Sequence, residues 1–374
     1  MEINMVKNLK PAINIGPGDI IKDRLQELGW SQNDLADIIG MTVKNINFIL
    51  NNKYAISFDT ARLLASVFGT SPEFWLNLDM KYRLNINDTT VNENEVAIKA
   101  KIRKHMPLRD MRKKGWVAGD NSTQGIIETF KAFWGVPEVT FTMYTNSPVT
   151  LCARQLACDE DYTKNYSITW LHMARKSSSR FTSHAPYSEK ALRSIAESLP
   201  DYMNQTSGIM KFIKDLNNCG VKFFVLSHLE KTYLDGACFI EDETPVIVYT
   251  ARHNKDDNFW FTMAHEIAHV VQHLKTKNDY CLDNFDDEMT SVQEREADEM
   301  ACAWLRKNLI IKSAKAKRIF GNIETISRIA KECGVSVGFV VGVLQYNRLL
   351  NYSTRLNGYK FDVTQYIDKD YFID

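Results

Sequence analysis

The chain has 374 residues, too many for one compact core of ordinary size, so two or three domains are expected. Its 46 Lys and Arg balance its 46 Asp and Glu, which excludes a chain-wide attraction to nucleic acid or membrane and leaves only local binding surfaces. No apolar run approaches a membrane span, "MEINMVKNLKPAI" lacks a signal-peptide core, and the seven scattered cysteines include no CxxC pair, so the expectation is a cytoplasmic protein with reduced thiols, no membrane partner and no thiolate zinc site.

Residues 17–84 predict five short helices, each starting near a Ser, Thr or Pro and several closing on Gly or Asn, hence a small all-α domain over 1–85. Within it, "LGWSQNDLADIIGMTVKNINFILNNK" has the pattern of a helix-turn-helix. Leu35, Ile38 and Ile39 face inward on one helix, Gly40 makes the turn, and Ile46, Ile49 and Leu50 face inward on the next. The outer face of the second helix keeps Thr42, Lys44, Asn45, Asn47 and Phe48, suited to base edges and the thymine methyl. Gln32 heads the preceding helix near the DNA backbone, and Asn51 and Lys53 can hold phosphate. One such helix covers only a few base pairs, so a homodimer on a two-fold symmetric operator is expected.

Residues 86–118 turn from polar to strongly basic between Lys99 and Lys114 and read as a linker running into a solvated helix; a middle region, 119–204, reads as helical. From 205 to 374 the pattern changes. "VKFFVLSH", "LDGACFIEDE" and "TPVIVYTA" predict three strands before helices return at Trp260 and run to the C-terminal region. The overall class is mainly α with a small β-sheet, α+β.

The stretch "DNFWFTMAHEIAHVVQH" carries the strongest chemical signal. On a helix, residues four apart lie within about 40° of one face, so His265 and His269 can hold one ion, with Glu266 able to reach a water on it. That is the arrangement of a zinc peptidase, in which the glutamate acts as base. His273, about 12 Å further along the axis from His265, is placed to support a ligand or line the cleft rather than to ligate with it. The third ligand is sought in "SVQEREADEMACAWLRKN", after about twenty polar residues read as linker. Glu294 is favoured with Glu296 its rival, and Asp298, four residues from Glu294, can accept the other ring N–H of a ligating histidine. Tyr249 and Tyr233 read as core residues that could alternatively reach an oxyanion.

At these residues the chain resembles two families in tandem. Residues 15 to about 84, including "FGTSPEFWLNL", look like HigA/VapI-type antitoxins of the XRE helix-turn-helix group, and residues from about 205 to 360 are similar to ImmA/IrrE-type zinc metallopeptidases. The resemblance implies a zincin-like domain with Zn2+ on His265, His269 and Glu294, Glu266 as base and Asp298 in support. It also implies partners: operator DNA, a protein substrate of repressor type and a HigB-type toxin. Asn52 stands where the first family has Gly after the recognition helix, a position where Asn also fits. The reading is a DNA-binding regulator carrying a zinc endopeptidase. The competing reading is a HigA-type autorepressor whose zinc domain binds or senses without turnover.

Overall fold

A computed structural model describes residues 14–86, 93–145, 160–275, 280–283, 292–317 and 321–373. Cys152 and Cys158 lie outside them. The chain divides into two compact units, residues 1–96 and 97–374.

The first unit contains α1 (Pro17–Leu28), α2 (Gln32–Ile39), α3 (Val43–Leu50), α4 (Phe58–Phe68) and α5 (Pro72–Asn85). Ser31, Thr42, Ser57 and Ser71 each accept a hydrogen bond from a backbone N–H of the helix they precede, satisfying one of the amides a helix start leaves open. Gly40, at φ 71°, makes the left-handed turn between α2 and α3. Ile21, Leu35, Ala36, Ile39, Ile46, Ile49, Leu50, Leu64 and Trp75 form the core. Ile38 does not share it. The sequence pattern turned Ile38 inward, but it is 50% exposed while Ala36 is buried, because the short helix presents 35, 36 and 39 to its neighbours.

In the second unit, α6 (Glu93–His105, entered from the first unit's last residues), α7 (Leu108–Lys113), α8 (Thr123–Trp134), α9 (Thr142–Thr145) and α10 (Glu160–Ser178) precede α11 (Glu189–Glu197), α12 (Leu199–Met203) and α13 (Ser207–Asn218). Three strands follow, β1 (Lys222–Leu226), β2 (Gly236–Glu241) and β3 (Thr244–Tyr249), where the sequence places them. Next come α14 (Asp256–Gln272), β4 (Tyr280–Asp283), α15 (Val292–Trp304), α16 (Lys307–Lys317), α17 (Ile323–Cys333), α18 (Val337–Tyr346) and β5 (Phe372–Ile373). The sheet runs β4-β2-β3-β1-β5, with β1 parallel to β3 and β5, and β2 antiparallel to β3 and β4.

Alternation along the strands feeds two cores, as a sheet buried on both faces requires. Phe224, Leu226, Ala237, Phe239, Val246 and Val248 pack with Ile126, Phe130, Phe133 and Trp170 of the preceding helices. Phe223, Val225, Cys238, Ile247 and Tyr249 face the other way, onto α14 and the later helices. The stretch read as a basic linker or solvated helix forms α6 and α7 and contributes to the first of these cores: Ile102, Met106, Leu108 and Met111 are buried there. Among the described residues no helix is long and apolar enough to cross a membrane.

Candidate metal centre and nucleic-acid interface

Helix α14 is buried nearly all round, so most polar groups on it are held in a dry environment. His265, Glu266 and His269 are 2%, 0% and 0% exposed. His265 Nε2 lies 2.9 Å from His269 Nε2 and 3.2 Å from Glu294 Oε2, and Glu294 Oε1 is 3.5 Å from His269 Nε2. One donor atom from each of these three residues lies within 4.8 Å of the others. Glu296, the rival third ligand, is elsewhere.

The outer ring nitrogens explain why this cluster suits a cation. His265 Nδ1 lies 2.9 Å from Asp298 Oδ1, and a carboxylate only accepts, so Nδ1 donates there and in the neutral ring Nε2 keeps the lone pair. His273 Nε2 sits 3.1 Å from Glu296 Oε2 and so donates to it; His273 Nδ1 then accepts from His269 Nδ1 at 2.9 Å. That leaves the second Nε2 as a lone pair too. Two imidazole lone pairs and a carboxylate therefore converge on one point, a set that repels itself until a cation joins it, and whose N and O donors suit zinc.

Without a metal, the same convergence favours a proton in the cation's place. Burial favours the neutral form of His269, but hydrogen bonds to Cys281 and Glu294 outweigh it and push the ring up to about 10. Burial would raise Glu294, yet hydrogen bonds to His265 and His269 hold its carboxyl well below the usual range.

Glu266 points toward β2. A Cβ on Gly236 would stand 2.5 Å from Glu266 Oε1, so only glycine leaves room for the carboxylate at that strand position. Burial, with help from Cys281 and from the Glu266 carboxylate, pushes the Cys238 thiol well up. Cys281, on β4, stands opposite Cys238 in the β2–β4 ladder. Cys238 holds the Cys281 thiol below the usual thiol range, with burial opposing and His269 assisting. Sequence spacing gave no hint of either thiol: β4 falls inside the stretch read as polar linker, and only strand pairing brings it back to the helix. The His273–Glu296 pair was legible in part, since His273 repeats the four-residue step.

Tyr249 is buried and its hydroxyl donates to the His253 carbonyl at 2.7 Å, a packing role; the Tyr233 ring lies under the Arg252 guanidinium. His105 and His172 bond to the backbone carbonyls of Lys101 and Phe133, away from the cluster.

In the first unit, the residues expected to read DNA fall on one side of α2–α3. Thr42, Lys44, Asn47, Asn51 and Lys53 are exposed, and Gln32, Asn45 and Phe48 are half-buried. Thr42 is committed to its cap, accepting from the Asn45 N–H at 3.2 Å. Asn47 Nδ2 donates to Gln32 Oε1 at 3.3 Å and Asn51 Nδ2 to Asn47 Oδ1 at 3.2 Å, a row of amides held in register across the two helices. Phe48 stacks on Tyr54 with ring centroids 4.7 Å apart. Asn52 adopts φ 56°, as a glycine substitute must, and its amide also serves α1: Oδ1 accepts from the Gly18 N–H at 2.7 Å and Nδ2 donates to Asp19 Oδ2 at 3.1 Å.

Comparisons with known proteins agree with this division. Residues 21–75 match the helix-turn-helix family model, and residues 212–343 match that of the IrrE N-terminal-like domain of M78 peptidases. The chain is 33% identical over 84 residues to the HTH-type transcriptional regulator YddM of Escherichia coli (strain K12), covering 22% of this chain and 89% of that one. It is 34% identical over 87 residues to virulence-associated protein I of Dichelobacter nodosus, covering 23% and 79%. Among solved structures, the Pseudomonas aeruginosa antitoxin HigA with the higBA promoter is 36% identical over 19% of this chain and 79% of that chain, with a TM-score of 0.19. A HigA-family addiction module antidote protein from Coxiella burnetii is 40% identical over 20% and 80%, also at a TM-score of 0.19. The chain belongs to the DNA-binding helix-turn-helix transcriptional regulators through its first unit and carries an IrrE N-terminal-like domain of the M78 peptidase type in its second.

Proposed function

We propose that this regulator binds operator DNA as a dimer through α3 and hydrolyses a peptide bond, in a protein of repressor type, at a zinc ion held by His265, His269 and Glu294. The observation that carries the peptidase reading is the convergence of both Nε2 lone pairs and the Glu294 carboxylate, each imidazole fixed from behind by Asp298 or by His273 and Glu296. When bound, zinc lowers the pKa of a water and polarises the scissile carbonyl. Glu266 would take the proton of the attacking water and return it to the leaving amine. Asp298 holds the His265 tautomer, and His273 with Glu296 holds that of His269. An extended peptide that took the place of β4 would meet the backbone groups of β2.

Two observations favour a second reading. Glu266 is 0% exposed and β4 already occupies the edge of β2, as in a module that binds a metal without turnover within a HigA-type autorepressor. Purified chain assayed for zinc and incubated with repressor-type proteins, beside Glu266→Gln, separates the two. The peptidase reading expects cleavage by wild type alone; the second expects zinc in both and cleavage by neither.

A further inference from the structure

Among the five described cysteines, Cys219, Cys302 and Cys333 stand apart, whereas Cys238 and Cys281 occupy directly opposed positions on β2 and β4. Opposed residues of an antiparallel ladder have Cα atoms about 4.5–5.5 Å apart, inside the span a disulfide bridges. β4 is the outermost strand at that end of the sheet and pairs with β2 over Tyr280–Asp283, with Tyr280 and Cys281 partly packed against the cores on either face. Cys281 is half-buried and Cys238 fully buried, which sets an order of attack.

We propose that Cys238 and Cys281 form a redox modification site, oxidised by a low-molecular-weight disulfide to a cross-strand bridge that locks β4 onto β2 beside the metal cluster. The Cys281 thiolate attacks one sulfur of the oxidant, forming a mixed disulfide and expelling one small thiol. Cys238, losing its proton to solvent, attacks the Cys281 sulfur and expels the second. Two protein thiols are oxidised and one small disulfide is reduced to two thiols. The bridge has two consequences at the centre. It turns the two thiols that neighbour Glu266 and His269 into a sulfur–sulfur bond, and it fixes β4 along the edge where an extended peptide would pair. With the pair reduced, that edge can exchange β4 for another strand.

The bridge itself is independent of the peptidase reading; its closing of the peptide edge rests on that reading. The full chain is incubated with oxidised glutathione near neutral pH, alkylated, digested and mapped by mass spectrometry, and amide hydrogen exchange is followed over 236–241 and 280–283. The expected result is a peptide joining Cys238 to Cys281, lighter by two hydrogens and released by dithiothreitol, with exchange across β2–β4 slowed at least about tenfold. Cys281→Ser should show neither change. Recovery of both cysteines alkylated, a glutathione adduct on Cys281 that never closes onto Cys238, or a bridge with unchanged exchange overturns the proposal. These readouts need no cleavage assay, so a failed bridge and a failed peptidase assignment are told apart.

Discussion

His269 is held from both sides, by the cluster at Nε2 and by His273 at Nδ1, and that double constraint lets single substitutions be ranked. Glu294→Ala removes a donor that faces both histidines and should abolish measurable zinc binding, as should His265→Ala. Glu296→Ala touches the cluster only through His273 and should weaken zinc by about ten- to a hundredfold. A competition titration with a zinc chelator ranks them, and a larger loss for Glu296→Ala would reverse the ligand assignment. At Asn52 the backbone is left-handed and the amide serves two partners of α1, so Asn52→Ala should cost about 2 kcal/mol in chemical denaturation of the first unit, combining strain and a lost cap. Asn52→Gly relieves the strain but not the lost bonds, and should cost about half as much.

Helix α14 carries the chemistry at its middle and a second buried acid at its start. Burial, and then the neighbouring Asp257 charge, push Asp256 up to about 7, against a hydrogen bond from Ser336 at 3.0 Å. Between pH 4 and 7 the folded chain therefore keeps a proton that the unfolded chain has released. Stability from this group is fully present below pH 4 and lost as pH rises through 7, by on the order of 2–4 kcal/mol. Urea unfolding at pH 5 and pH 8 should show Asp256→Asn losing less stability across that interval than wild type; equal losses would mean that Asp256 titrates normally. At this scale the sequence was readable where a period ran unbroken, as in α14, β1 and β3. It was unreadable for β4, whose four residues gain meaning only from pairing with β2, and for α6 and α7, where dense charge masked Ile102, Met106, Leu108 and Met111.

For the whole molecule, the two units carry separable chemistry. Lys44→Ala and Asn45→Ala should each weaken operator binding by about 1–3 kcal/mol if the side chain meets a base edge. The basic stretch bears differently on binding than its charge suggests. Lys101 lies over the Phe141 ring, Arg112 bonds Asn121 and Asp120, and Lys114 bonds Ser227, so these cations are engaged within the second unit. Neutralising them should lower that unit's stability and leave the salt dependence of operator affinity nearly unchanged. An anisotropy titration at several salt concentrations checks both, and a shallower salt slope in the neutralised variant would place the stretch on the DNA. The peptidase assignment is tested most directly by incubating zinc-loaded wild type and Glu266→Gln with a repressor-type protein and following its cleavage. The expected result is about one zinc in each chain and hydrolysis by wild type alone. Equal cleavage by both, or a wild type that takes up no zinc, would contradict the account.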